Sequence, residues 1–258
     1  MKDNVVKFPA TQTSCDECRW STCCLVKTLD GGHSQTWSAA RAGTKSISCG
    51  THIFMQGEEL SHVYVLKSGS AKSYINSEEG HEQIVAFHYP GNCIGFDAIA
   101  SGAYLTSVSA LETVSVCKFS FPVGEDIGGC SPELWSTAVN VTANQVMERN
   151  NHLLLLSQKS VHARFASFLL YLSGRYSALG CSGLEFNLTM SRHDIANYLS
   201  MAVETVSRMI NEIQNLGAIT VDRRLVTIVS IDCLRSIASG TPGANQTQVQ
   251  SVARHPRR

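Results

Sequence analysis

The spacing of apolar residues changes period twice along the chain. From about Ile47 to Phe121, short runs of β-branched and aromatic residues alternate with glycine turns at Gly57, Gly69, Gly80 and Gly91. Examples are His62 to Leu66, Ala71 to Ile75, Gln83 to Phe87 and Val114 to Phe119. Runs of this length between regular turn signals predict an antiparallel β-roll. From Pro132 the apolar positions move to three- and four-residue steps, at Leu134, Ala138, Val141, Met147, Leu153 and Leu156, which predicts one helix to about Ser157. At 1.5 Å per residue it is roughly 35 Å long or more. It either covers the roll or pairs with a second copy, and its length favours pairing modestly.

A second helix is predicted over Ala163 to Tyr176, with Phe165, Phe168, Leu169 and Leu172 inward, then a short strand over Leu184 to Leu188. Next, cap residues at Thr189 and Ser191 lead into an apolar face at Ile195 and Leu199. Ser200-Met201-Ala202 interrupts, and Val203 to Leu216 forms another helix with Val206, Met209, Ile210 and Ile213 inward, stopped by Gly217. Two helices joined by about three residues, with small Ala196 at their contact, make a helix-turn-helix pattern. In that motif the second helix enters the major groove N-terminus first.

Glu204, Ser207 and Arg208 share the exposed side of that helix near its start. Arginine can grip guanine O6 and N7, glutamate can accept from cytosine N4, and serine can serve in either role. The plainer alternative is a Glu204 to Arg208 surface ion pair. Beyond Gly217, Ala218 to Val221 and Leu225 to Ile228 bracket Asp222-Arg223-Arg224 as a wing, so Arg223 and Arg224, with Arg192, are candidate phosphate contacts. Ser200 stands at the turn position that commonly holds glycine, which predicts a mildly strained backbone there.

The expected fold class is α+β, with an N-terminal antiparallel β-roll, a long helix that either covers the roll or serves as a dimerisation helix, and a C-terminal winged helix-turn-helix. The expected domains are a leader with a cysteine cluster over 1–46, the β-roll over 47–130, the dimerisation helix over 131–160, the DNA-binding domain over 161–238 and a disordered tail over 239–258.

Composition narrows the functional classes. The 258 residues carry 21 basic and 21 acidic side chains and are 43% hydrophobic, which excludes a wholly disordered chain. From Met190 to Arg258, however, eight Arg face five acids and no Lys, a net +3. No apolar run approaches the roughly 18 residues a membrane span needs. Nor does the N-terminus carry the apolar core of an export signal, so the expected location is cytoplasmic.

Ten cysteines in a reducing compartment point to metal or redox work more than to disulfides. Cys15 and Cys18 form a CxxC pair, followed by a third thiol at Cys23 or Cys24 and a distant fourth candidate, Cys117. Four thiolates hold either tetrahedral zinc or a cubane iron–sulfur cluster. Structural zinc usually pairs two short knuckles, and the second is missing here. Three ligands near the N-terminus with one distant anchor fit an iron–sulfur cluster better, although spacing alone leaves both open. Cys49, Cys93, Cys130, Cys181 and Cys233 read as small buried hydrophobes and not as ligands.

Taken together, these residues resemble the oxygen-responsive FNR-type regulators of the CRP/FNR superfamily. The resemblance runs from about Cys15 to Ile237. It rests on CxxCx5C at Cys15, Cys18 and Cys24, Val65 to Tyr74, Gly91 to Ile99, Ala110 to Cys117, Leu153 to Lys159, and Val203-Glu-Thr-Val-Ser-Arg208. It implies an oxygen-labile [4Fe-4S] cluster on Cys15, Cys18, Cys24 and Cys117, with register selecting Cys24 over Cys23. It also implies base reading by Glu204, Ser207 and Arg208 at a TTGAT-type half-site in palindromic double-stranded DNA. A homodimer through the long helix and an approach to RNA polymerase by the loop around Glu78 to His81 are further implications. Arg149 replaces an acidic side chain of the best-known member in the dimer helix.

Three other readings share parts of the pattern. A cyclic-nucleotide receptor needs an Arg-Ser pair for the phosphate, and Ala103 to Ser107 offers no arginine, so no cyclic nucleotide is expected. A cupin-type enzyme needs closely spaced His and Glu ligands, whereas His52, His62, His81 and His88 are scattered. No nucleophile elbow, P-loop or dinucleotide glycine pattern is present, so an enzyme is not expected. The third reading keeps the family and replaces the cluster with structural zinc or nothing, leaving the protein to answer another signal.

Overall fold

In a computed structural model, Cys24 and residues 41–121 and 132–240 are described. Cys15, Cys18, Cys23 and the C-terminal tail beyond Gly240 lie outside them. Two units divide the chain, one of residues 1–73 and 87–144, the other of residues 74–86 and 145–258.

The first unit contains most of a two-sheet roll. One sheet has the order β1-β8-β3-β6, from strands Arg41–Ile47 (β1), Val63–Ser68 (β3), Cys93–Ile94 (β6) and Val114–Phe119 (β8). The other has the order β2-β7-β4-β5, from His52–Phe54 (β2), Ala71–Asn76 (β4), Glu82–His88 (β5) and Ser107–Ala110 (β7). β3 buries four successive residues, Val63 to Leu66, and β7 all of Ser107–Ala110, whereas β8 buries Val114, Val116 and Phe119. The core gathers Ile53, Phe54, Leu66, Val108, Val116 and Phe119 among others.

Among the described residues the first strand begins at Arg41, earlier than the apolar pattern places it. Along β1 only Ile47 is fully buried, so its sequence carries no hydrophobic alternation. The strand exists because β8 pairs with it antiparallel, Thr44 opposite Cys117 and Ile47 opposite Val114.

The long helix, α1, spans Pro132–Gln158, with proline just inside its start, where a missing N–H costs nothing. Leu134, Ala138 and Val141 belong to the roll's core, and Trp135 packs edge-on to Phe121 at 6.1 Å. No helix among the described residues is long and apolar enough to cross a membrane.

In the second unit, α2 (Val161–Ala178) opens on Ser160, whose side chain accepts from Ala163 N. A three-stranded sheet of order β10-β11-β9 follows, from Glu185–Asn187 (β9), Ile219–Asp222 (β10) and Leu225–Ile228 (β11). Between β9 and β10 lie α3 (Arg192–Tyr198) and α4 (Val203–Asn215). A last helix, α5 (Ile231–Ser239), has no counterpart in the sequence reading; it buries Leu234 and Ala238. Lys159 Nζ donates to the Ala238 carbonyl near its end at 3.0 Å, a charged partner for a helix C-terminus.

Candidate nucleic-acid interface and cysteine site

The motif at 191–215 is built from local caps. Ser191 Oγ accepts from Asp194 N at 3.0 Å, while the Asp194 carboxylate accepts from Ser191 N at 2.9 Å, a reciprocal capping box that fixes where α3 starts. Ile195, Ala196 and Leu199 are buried, as are Val206, Met209, Ile210 and Ile213 on α4.

The turn between the helices is strained as its sequence predicts. Ser200 has φ 50°, and with Arg223 (φ 56°) it is one of only two non-glycine positions with positive φ among the described residues. A left-handed residue with a Cβ costs about 1–2 kcal/mol. Arg164 on α2 offsets that cost, because one guanidinium nitrogen donates to the carbonyls of Leu199 (2.9 Å) and Ser200 (3.2 Å). No sequence signal marks Arg164; its role depends on two helices meeting. Ser200→Gly is expected to raise stability by up to about 1 kcal/mol, and Arg164→Ala to lower it by about 1–2 kcal/mol. Thermal unfolding of the two variants checks both signs.

Glu204 and Arg208 are exposed on α4 and Ser207 is partly so. Arg208 leans towards Glu212, Nε to Oε1 at 3.8 Å, and not towards Glu204. Glu212 is also held by His162 of α2, Nε2 to Oε2 at 2.5 Å. An exposed pair as long as that between Arg208 and Glu212 is weak, which leaves the guanidinium available to another acceptor. Arg192, at the start of α3, donates to Ser207 Oγ at 3.0 Å.

Arg223 and Arg224 form the two-residue turn between β10 and β11, where Asp222 pairs with Leu225. The Arg224 carbonyl accepts from Leu188 N at 2.8 Å, which ties the wing to the end of β9.

The basic excess of this end is located differently from these residues. From 190 to 240, five Arg (192, 208, 223, 224, 235) meet five acids (194, 204, 212, 222, 232), a net of zero. The +3 comes from Arg254, Arg257 and Arg258, outside the described residues. Any DNA recognition by the folded part therefore rests on where its arginines sit, not on its net charge.

Two further contacts flank the motif. Asn197 uses its side-chain amide as a strand would, accepting from Ile84 N at 2.7 Å and donating to the Glu82 carbonyl at 2.7 Å along edge strand β5. His152 of α1 stacks on Tyr198 with centroids 4.0 Å apart, and burial holds its imidazole below the usual histidine range. Both lay beyond sequence reading, because a partner of Asn197 or His152 distant in the chain leaves no local pattern.

Of the cysteines expected to be buried, Cys93 is, whereas Cys49 and Cys181 are exposed and Cys233 is half-buried. Two of the four proposed thiol ligands are described. Cys24 and Cys117 are both half-buried, and both pack with Trp135 against the roll's core cluster. Cys117 lies on β8 opposite Thr44 of β1 and Val65 of β3. No group of three potential metal ligands occurs among the described residues, which exclude Cys15 and Cys18. Soft thiol donors on an apolar wall suit a thiolate-ligated cluster or zinc and disfavour hard, oxygen-preferring cations.

Comparison with known proteins adds independent findings. A Crp-like helix-turn-helix domain model matches residues 163–237, and a cyclic nucleotide-binding domain model matches residues 44–122. The "Fumarate and nitrate reduction regulatory protein" of Escherichia coli is 37% identical over 227 residues, 88% of this chain and 91% of that protein. The chain belongs to the FNR-type regulators of the CRP/FNR family. A second FNR-type relative, the "Anaerobic regulatory protein" of Haemophilus influenzae, is 36% identical over 238 residues, 92% of this chain and 91% of its own. Among solved structures, FixK2 from Bradyrhizobium japonicum superposes with TM-score 0.67 at 26% identity, covering 78% of this chain and 98% of that one. This FNR-type chain is thus a transcription regulator with a DNA-binding helix-turn-helix.

Proposed function

We propose that this regulator senses oxygen through a [4Fe-4S] cluster and couples it to dimerisation and to binding of a palindromic operator. Cys15, Cys18, Cys24 and Cys117 are the residues that would hold the cluster, which supplies an oxygen-labile centre when bound. The observation that carries the reading is that Cys24, Cys117 and Trp135 of the long helix pack against one core cluster. Ligation by Cys24 and Cys117 would join the N-terminal segment to β8 beside the start of α1, where it biases the helix towards pairing. Coupling of this kind is a shift of an assembly equilibrium. The competing reading, zinc or no metal, uses the same thiols. Anaerobic purification with iron and sulfide analysis and absorption spectroscopy separates the two. A colourless, zinc-loaded, air-stable dimer with undiminished operator affinity overturns oxygen sensing.

On the DNA side, Glu204, Ser207 and Arg208 are the base readers in this reading, and Arg192, Arg223 and Arg224 contact phosphates. The positive φ of Arg223 is what a two-residue hairpin turn requires, and the turn sets both arginines at the tip of the wing. Arg208→Ala is expected to cost about 1–3 kcal/mol and to relax discrimination at one guanine. Binding assays on single-base operator variants at fixed salt check this; an equal loss on every sequence marks a phosphate contact instead.

The protein is proposed to act in the cytoplasm, as a regulator and not an enzyme. The Glu78 to His81 turn, closed by Ser77 N donating to the His81 carbonyl at 2.9 Å, is the proposed face towards RNA polymerase. No cyclic nucleotide is proposed as the signal, because the stretch from Ala103 to Ser107 carries no arginine to neutralise a cyclic phosphate.

A further inference from the structure

The proposed base readers do not stand alone, because Ser207 carries a partner from the other helix of the motif. Arg192 Nη1 lies 3.0 Å from Ser207 Oγ. A guanidinium has five N–H donors and no acceptor, so the direction of this bond is forced: Arg192 donates and the serine oxygen accepts. A serine hydroxyl left to itself has one O–H and two lone pairs and serves either role against a base edge. Once a lone pair is committed to a cation, the oxygen is a poorer acceptor, and the polarised O–H becomes the better donor.

We propose that Arg192 is a specificity-determining positioning residue that fixes Ser207 as a hydrogen-bond donor towards DNA. The hydroxyl then favours acceptor atoms in the major groove, namely guanine N7 and O6, adenine N7 or thymine O4. It disfavours the exocyclic amino groups of cytosine and adenine, which are donors themselves. The placement of Arg192 allows this without removing it from the backbone, since a guanidinium with one N–H spent on Ser207 keeps four for a phosphate. A single residue at the first position of α3 would then join the register set by a phosphate to the base preference of α4. The inference rests on Ser207 reading a base, as proposed above.

The test uses the full chain, prepared anaerobically, on a palindrome of TTGAT-type half-sites and its complete set of single base-pair substitutions. Ser207→Ala locates the base pair that Ser207 reads, as the one position where discrimination collapses. Arg192→Met, which keeps an unbranched side chain and removes every donor, is expected to lose roughly five- to tenfold of the discrimination at that same position. Arg192→Lys, again a donor only, is expected to retain it. In the double variant with Ser207→Ala, Arg192→Met should add nothing at that position. The inference is overturned if Arg192→Met weakens binding equally on every sequence, the signature of a phosphate contact alone. If Ser207→Ala alters no position, base reading by Ser207 fails first, and the inference falls with it.

Discussion

Cys117→Ala and Cys24→Ser are each expected to abolish anaerobic operator binding, lowering affinity by about 10²-fold or more, as expected when a bivalent dimer is lost. Cys23→Ser is expected to leave it intact. Cys117 is fixed by two antiparallel neighbours on β8, so its thiol has little freedom to be replaced by another. Cys24, like Cys117, packs against the roll's core cluster. If these two anchor a shared centre, removing either releases the N-terminal segment from the roll and removes the bias on α1. Iron and sulfide content, the absorption spectrum and DNA binding should therefore fall together in both variants. A Cys23→Ser variant that alone loses its iron shows that the third ligand is Cys23. Retention of operator binding after loss of iron in Cys117→Ala severs the proposed link between the centre and DNA.

The second large effect is expected on the long helix. Val139, Val146 and Leu153, spaced seven apart, leave 50–63% of their surfaces exposed, and Met147 and Leu154 lie beside them at 56% and 52%. Apolar residues repeated every seven positions form a seam for a parallel partner, since the seam drifts only about 20° per heptad on a straight helix. A two-fold pair through this seam is self-complementary, so one substitution acts twice. Leu153→Glu sets two carboxylates against each other and is expected to give a monomer by sedimentation. Binding to the palindrome should drop by about 10²- to 10⁴-fold, the contribution of bivalency, while binding to a single half-site is unchanged. A monomeric variant that keeps full affinity for the palindrome refutes this coupling. Arg149 lies between Val146 and Leu153 in the sequence and is exposed.

The division between sequence and tertiary structure is visible in particular residues. Short β-branched and aromatic runs between regular glycine turns determined the roll, because such residues favour strands and glycine supplies the turns. Three- and four-residue spacing determined α1, α2 and α4, and the Ser191 and Asp194 cap placed the start of α3. Helical spacing placed Glu204, Ser207 and Arg208 on one exposed side of α4, and their proposed base-reading role came from the helix-turn-helix context. β1 was illegible because its stability comes from pairing with β8, and α5 was unassigned although its apolar face packs.

The sequence by itself determined the family, the two main architectures and the nature of the candidate ligands, since those depend on residue type and local period. Tertiary structure decided which side chains act on one another: Arg164 on the Ser200 turn, Arg192 on Ser207, and Asn197 on the edge of β5. Each partnership joins residues on separate elements. Such a contact leaves no periodic trace in the chain, because helical and strand periods encode only which face is buried, not what that face meets.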